Sequence, residues 1–293
     1  MFTAQDVKSL REKTGAGMMD CKKALEETKG NMDDAITWLR EKGISKAAKK
    51  AERIAAEGLT LAASIDNYAV IVEVNSETDF VAKNEEFKNF VHQLVKTLLG
   101  KDVKSMEEAL SLNLEGTTET VNEAIINLTA KIGEKISFRR FETITKENNQ
   151  NFGIYSHMGG KITSVVVIEN GDKDIAKNVA MHAAAMRPQY LNETSVPENV
   201  LEKEKEIITE QLRNEGKPQD KINQILKGKV NKFYEEVCLE NQIYIKAEHK
   251  ESVGKYLTNN NSKLISMVRY EVGEGMEKRN DNFAEEVQNQ ING

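Results

Sequence analysis

The amino-acid sequence predicts an α+β protein in which a small helical domain precedes two related core subdomains. Three observations support this prediction. Apolar residues recur at helical spacing through residues 1–43, strand-like segments begin at Leu59, and a pattern of hairpin, helix and strand then occurs twice. A repeated unit of this kind is expected to give two small subdomains that each contain strands and a helix.

Composition and charge narrow the possible functions. The 293 residues are 39% hydrophobic and 30% charged, which is typical of a globular protein and not of a disordered chain. The formal net charge of −6 argues against general nucleic-acid binding, because that function needs a basic surface to neutralise phosphates. No apolar stretch approaches the roughly 20 residues of a membrane span. The N-terminus lacks the pattern of a secretory signal, so we expect a cytoplasmic protein without a membrane partner.

The N-terminal domain, residues 1–43, is predicted to contain three short helices. Thr3 and Asp6 resemble a capping box at the start of the first helix. Asn31 can cap the third helix, which is expected to end at Gly43. A core built from about forty residues is small, so we expect this domain to have modest stability.

Residues 44–58 are predicted to form a linker between this domain and the core. The segment is rich in alanine and lysine and has little apolar periodicity, which favours a solvated and partly helical conformation. We interpret its basic run as a solvated face and not as a nucleic-acid-binding patch.

The two core subdomains are predicted at residues 59–145 and 146–278. An Asp-Asn pair at residues 66–67 marks a hairpin turn in the first, and Met-Gly-Gly at residues 158–160 marks one in the second. Each hairpin is followed by an amphipathic helix and later by a closing strand. The closing strands of the two copies match locally, which supports the prediction of a repeat.

Two further helical segments are predicted in the C-terminal half. Residues 195–238 interrupt the repeat pattern and are expected to form an antiparallel helical hairpin. Residues 279–293 are expected to form a C-terminal helical module. Its single apolar stripe, which is too narrow for an independent core, consists of Phe283, Val287 and Ile291.

No motif for enzymatic chemistry occurs in the sequence. Cys21 and Cys238 lack the paired spacing of a zinc site and are expected to be reduced and buried. None of the four histidines stands four residues from another, and no complete phosphate-binding loop or nucleophile motif is present. We therefore predict no catalytic residue, no metal ligand and no cofactor, and we expect that the chain is not an enzyme.

In two short segments, apolar residues stand at positions that the predicted helices and strands do not clearly bury. Met18 and Met19 are adjacent in a predicted helix, where successive residues point about 100° apart, so one of them should be exposed. Partial burial of both at the helix start is an equally supported interpretation. Phe80 lies in a polar connection before Asn84, which can cap the following helix. Spacing alone favours packing of Phe80 against the sheet.

These two segments are also the ones by which the chain resembles the bacterial elongation factor Ts family. The resemblance rests on TGAGMMDCKKAL at residues 14–25, TDFVAKN at residues 78–84, and similar runs at residues 180–191 and 269–278. Members of this family are guanine-nucleotide exchange factors for elongation factor Tu. The resemblance extends over essentially the whole chain, and it implies that residues 1–43 form a ubiquitin-associated-like (UBA-like) domain.

The resemblance also implies which residues contact elongation factor Tu in its GDP-bound and nucleotide-free forms. The set that would enter the nucleotide-binding domain and dislocate its Mg²⁺ is Thr78, Asp79, Phe80 and Val81. The N-terminal set that would meet a helix of that domain is Arg11, Met18 and Met19. The set that would contact Tu from the core is Ile132, Gly133 and His157. GDP would then leave, and the complex would persist until GTP binds.

Two other classes of function stay open at this point. A non-catalytic adaptor would use the helical domain to hold a partner and would not accelerate nucleotide release. A hydrolase or transferase with an unrecognised site would turn over a substrate by itself, and its cleft would contain carboxylates with shifted pKa values. The lack of a nucleophile motif counts against this last class.

Overall fold

The computed structural model describes residues 2–14 and 16–277, which contain eleven α-helices and six β-strands. The helices are α1 (Ala4–Thr14), α2 (Met18–Glu27), α3 (Met32–Ala48), α4 (Asp79–Lys83), α5 (Glu85–Leu98), α6 (Met106–Ser111), α7 (Val121–Ile132), α8 (Lys173–Met186), α9 (Glu198–Asn214), α10 (Gln219–Val237) and α11 (Val253–Asn259). The strands are β1 (Glu57–Ile65), β2 (Tyr68–Ser76), β3 (Ser137–Thr145), β4 (Gln150–His157), β5 (Ile162–Glu169) and β6 (Lys263–Glu271). They form two three-stranded sheets, ordered β1-β2-β3 and β4-β5-β6, and the predicted α+β class is confirmed.

The described residues divide into two compact units. The first unit comprises residues 2–61, 72–143 and 271–277, and the second comprises residues 62–71 and 144–270. The predicted domain boundaries, and the UBA-like character of the N-terminal helices, remain predictions.

The three N-terminal helices enclose a small core in which Leu10 and Leu25 are fully buried. The capping box predicted at α1 is present, because the Thr3 amide donates to the Asp6 carboxylate and the Asp6 amide donates to the Thr3 hydroxyl. The Asn31 side chain accepts two hydrogen bonds from the first turn of α3, as its position predicts. Local capping chemistry therefore determines where two of these helices begin.

The third helix is longer than its sequence predicts. The expected end at Gly43 is wrong, because α3 continues to Ala48. Lys42 and Lys46, one turn apart, both contact the Asp20 carboxylate of α2, at 3.0 and 2.7 Å. A glycine within a helix costs about 1 kcal/mol relative to alanine, and these contacts help to offset that cost. The first residues of the predicted linker are therefore helical.

Helix α5 supplies a broad apolar face to the first unit. Phe87, Leu94 and Leu98 on this face are fully buried. The helix begins where the sequence predicts, since the Asn84 side chain accepts hydrogen bonds from the amides of Glu86 and Phe87. The helix that follows the TDFV segment is thus capped at its start and buried along one side.

One carboxylate in the first unit is completely buried. Glu73 on β2 is 0% exposed, and its oxygens lie 2.9 Å from Arg139 Nη1 and 2.6 Å from Arg140 Nε on β3. The amide of Gly273 and the side-chain amide of Asn75 also donate to this carboxylate, at 2.8 and 3.1 Å. The paired charges and hydrogen bonds offset the cost of removing the carboxylate from water.

In the second unit, β4 and β5 pair antiparallel around the predicted turn at residues 158–160. Helix α8 covers β4 and buries Val179 and Ala183. Gly153 on β4 permits this close packing, because a side chain there would collide with the carbonyl of Ala176. The glycine therefore has a packing role in this strand.

His182 on α8 is a structural residue of the second unit. It is fully buried, with Nε2 3.0 Å from Gln242 Oε1, while Nδ1 accepts a hydrogen bond from the Ile245 amide at 3.1 Å. Burial lowers the pKa of His182, which favours the neutral ring that this pair of hydrogen bonds requires. The side chain thereby connects α8 to the segment that follows the helical hairpin.

The predicted helical hairpin at residues 195–238 is confirmed by α9 and α10. Pro197 and Pro218 occupy the positions immediately before these helices, where the absence of an amide proton costs little. Leu212 and Ile222 are buried between them. The hairpin therefore has an apolar core of its own within the second unit.

Some elements were not predicted, and one prediction lies outside the described residues. The short helices α4, α6 and α11, which contain five, six and seven residues, are not predicted by the sequence pattern. The module predicted at residues 279–293, with its Phe283, Val287 and Ile291 stripe, lies beyond the part of the chain that the structure describes. Among residues 2–14 and 16–277, none of the helices combines the length and apolar character that a bilayer crossing requires.

Candidate functional site

The one-turn helix α4 presents Phe80 to solvent. The Phe80 side chain is 79% exposed, whereas the following Val81 and Ala82 are 8% and 3% exposed. The inward positions of the turn are therefore occupied by the two small aliphatic residues, and the ring points outward. The spacing-based prediction that Phe80 packs against the sheet is wrong for this reason.

Lys83 lies beside both prominent side chains of α4. Its Nζ is 2.6 Å from Asp79 Oδ2 and 5.9 Å from the centre of the Phe80 ring. Such exposed contacts contribute little to the stability of the fold. They do place a carboxylate and an aromatic ring together at one exposed turn, which is a suitable combination for contact with another protein.

The base of this turn is held by Thr78 and Glu134. Thr78 is the N-cap of α4, and its hydroxyl accepts a hydrogen bond from the Val81 amide at 3.4 Å. The amide and hydroxyl of Thr78 both donate to the Glu134 carboxylate, at 3.0 and 2.7 Å. Sequence reasoning missed Glu134, because it lies 56 residues from Thr78 and no local pattern connects the two.

A second polar network lies next to the Thr78–Glu134 contact and involves the neighbouring residues Glu77 and Lys135. The Glu77 carboxylate accepts from the Lys135 amide at 2.6 Å and contacts Arg53 Nη1 at 3.3 Å. Lys135 Nζ donates to the Arg53 carbonyl, and Lys50 Nζ donates to the Gly133 carbonyl at 2.6 Å. Within the basic run, Lys50 is therefore half-buried against Gly133, whereas Arg53 stays exposed, in keeping with the predicted solvated face.

The predicted N-terminal contact residues lie in the first unit on α1 and α2. Met18 and Met19 are 53% and 75% exposed, and Arg11 is also exposed. Both methionines are thus at the surface, where the helical geometry requires exposure of only one. The same helix is anchored by Cys21 and Leu25, which are fully buried. Methionine is an adaptable side chain that is well suited to protein contacts.

The predicted contact residues of the core fall in both units. Ile132 ends α7 in the first unit and is half-buried, and Gly133 follows it in the left-handed conformation with φ of 88°. This conformation favours glycine. His157 ends β4 in the second unit, where it is exposed and its ring stacks on Tyr155 with centroids 6.1 Å apart.

The described residues provide no cluster for metal binding. Within residues 2–14 and 16–277, histidine, cysteine, aspartate and glutamate side chains form no group of three or more that could hold a metal ion. Cys21 and Cys238 are buried and unpaired, as predicted. Burial raises the pKa of the Cys238 thiol to about 11, so this thiol is a weak nucleophile at neutral pH.

A comparison of the whole chain with known protein families gives the same family that the sequence motifs indicate. The family model described as Elongation factor TS matches residues 77–274, which is more than half of the chain. The matched region includes Thr78–Val81, Ile132, Gly133 and His157, whereas the N-terminal set at residues 11, 18 and 19 lies before it. The chain therefore belongs to the elongation factor Ts family, a family of nucleotide exchange factors that act on elongation factor Tu in protein biosynthesis.

Proposed function

We propose that this chain binds GDP-bound elongation factor Tu and accelerates GDP release by inserting Phe80 near the Mg²⁺ of its partner. The observation that supports this proposal best is the 79% exposure of the ring on a helix anchored by Val81 and Ala82. An apolar ring that its own fold leaves in water has its burial free energy available for a partner.

We call this insertion of the Phe80 ring the wedge. Its energetics follow from the chemistry of the Mg²⁺ that Tu holds with its nucleotide. This ion requires near-ideal octahedral geometry, so a small displacement of its ligands in Tu weakens its binding. Losing the ion removes a large part of the electrostatic attraction for GDP phosphates. Burial of a phenylalanine contributes about 1.5–3 kcal/mol, which can stabilise the displaced arrangement.

The other predicted contacts would supply the affinity that insertion requires. In this proposal, Arg11, Met18 and Met19 meet the nucleotide-binding domain of Tu, and the core set contacts Tu through Ile132, Gly133 and His157. The coupling is reciprocal: if the factor weakens GDP binding, GDP weakens factor binding by the same factor. The nucleotide-free complex then persists until GTP binds. We propose a cytoplasmic location, and we propose no nucleic-acid or membrane partner.

The decisive experiment is GDP release from purified elongation factor Tu. Tu loaded with a fluorescent GDP analogue is mixed with unlabelled GDP and a catalytic amount of this chain. We expect faster loss of fluorescence, with many Tu molecules discharged per molecule of factor. Binding to Tu without acceleration would support the adaptor alternative, and turnover of a substrate by the isolated chain would support an enzyme.

A substitution in the N-terminal surface tests the second part of the proposal. Met19 is 75% exposed, so Met19→Ala should leave the melting temperature unchanged while it weakens binding to Tu by about tenfold. Affinity is measured by titration calorimetry with nucleotide-free Tu. Ile44→Ala is a suitable control, because Ile44 is an exposed aliphatic residue of α3 outside the predicted set. Unchanged affinity would contradict the assignment of Met19.

A further inference from the structure

We propose that Glu134 is a positioning residue for nucleotide exchange, because its carboxylate clamps the base of the turn that carries Phe80. This inference rests on the proposed function and adds a residue that the motifs do not indicate. Glu134 is half-buried and directly follows Ile132-Gly133, so one short segment connects two of the predicted Tu-binding sets.

The geometry of the clamp is bidentate. Glu134 Oε2 accepts from the Thr78 amide at 3.0 Å, and Oε1 accepts from the Thr78 hydroxyl at 2.7 Å. The same hydroxyl then accepts from the Val81 amide within α4. A continuous series of hydrogen bonds thus runs from the end of α7 through Thr78 into the turn that carries the ring. Hydrogen bonds to a charged acceptor are stronger than those between neutral groups.

The clamp matters because α4 has too few residues to maintain its own shape. It contains five residues, and an isolated helix of this length is unstable in water. The ring must be held in one orientation before contact, because ordering it during binding would reduce the free energy available for insertion. Glu134 does not touch the nucleotide in this proposal. It acts through Thr78, and its removal should affect the exchange rate more than the affinity for Tu.

The test compares Glu134→Ala and Glu134→Gln with the wild-type chain in the GDP-release experiment. Removal of the charged acceptor should lower the maximal exchange rate by about tenfold. Glutamine keeps one good acceptor, so the maximal exchange rate of Glu134→Gln should lie between those of the wild type and Glu134→Ala. Binding to GDP-bound Tu should change much less than the rate. Glu108→Ala is the matched control, because Glu108 also accepts a backbone hydrogen bond at a helix start, but at α6.

A double-variant comparison separates positioning from general destabilisation. If Glu134 acts through Thr78, the slowing of GDP release in the Thr78→Val, Glu134→Ala double variant should be smaller than the product of the two single slowings, although Thr78 also caps α4. A double variant whose fold-slowing of GDP release equals the product of the two single slowings would contradict the proposal. A wild-type rate for a folded Glu134→Ala variant would contradict it as well.

Amide hydrogen exchange gives a readout that does not depend on Tu. The amides of residues 78–82 should exchange faster in Glu134→Ala than in the wild type, with the amides of α5 unchanged. If the wild-type chain fails to release GDP, the proposed function is wrong, and this exchange measurement still decides whether the clamp exists. Unaltered exchange at residues 78–82 would overturn the clamp even if the wild-type chain releases GDP.

Discussion

Replacing Phe80 by alanine should slow factor-stimulated GDP release by about 10- to 100-fold, which corresponds to loss of one buried phenylalanine ring at the partner. The fold should be unaffected, because the side chain is 79% exposed in the chain itself. Stopped-flow fluorescence of labelled GDP bound to Tu measures the rate. Circular dichroism and the melting temperature establish that the variant is folded.

The matched control for this variant is Tyr68→Ala. Tyr68 is also an aromatic residue with a largely exposed side chain, at 44%, but it lies at the start of β2. We expect its GDP-release rate to equal that of the wild type. A folded Phe80→Ala variant that releases GDP at the wild-type rate would remove the main support for the wedge.

The largest expected effect on stability is at Glu73. In a Glu73→Ala variant Arg139 and Arg140 lose their shared buried partner, and the free energy of unfolding should fall by about 3 kcal/mol. The value lies at the lower end of the range for broken buried ion pairs, because both arginine side chains are partly exposed and can regain some hydration. Urea denaturation should show a lower midpoint.

Two further variants make the Glu73 result interpretable. Glu73→Gln retains the shape and an acceptor for the Gly273 amide, so its midpoint should lie between those of the wild type and Glu73→Ala. Glu85→Ala removes an exposed carboxylate that pairs with Lys88, and its midpoint should equal that of the wild type. Equal midpoints for Glu73→Ala and Glu85→Ala would show that the buried cluster is not important for stability.

The features that could be predicted from sequence are those determined by local chemistry. Asn31 and Asn84 mark helix starts because their side chains accept hydrogen bonds from amides two and three residues ahead. The turn at residues 66–67 follows in the same way from an aspartate that adopts a positive φ of 51°. Helices α5 and α7 could also be predicted, because the apolar periodicity that indicates each helix lies within its own segment of sequence.

The features that were missed depend on partners far away in the sequence. The extension of α3 beyond Gly43 involves Asp20, and the clamp at Thr78 depends on Glu134. The orientation of Phe80 could not be derived from its spacing, because α4 is too short to show a period. Resemblance to the family supplied the candidate residues, and the tertiary contacts supplied the reason that the Phe80 ring is exposed.

The single residue between α4 and α5 has a mechanical consequence for the wedge. Asn84 ends the first helix and caps the second, so there is no slack chain between the turn bearing Phe80 and a helix fixed by fully buried Phe87. If the Phe80 ring enters Tu as proposed, a force on α4 is passed directly to α5 and is not absorbed by a flexible connection. We therefore expect α4 to keep its position relative to α5 when the Phe80 ring meets a partner.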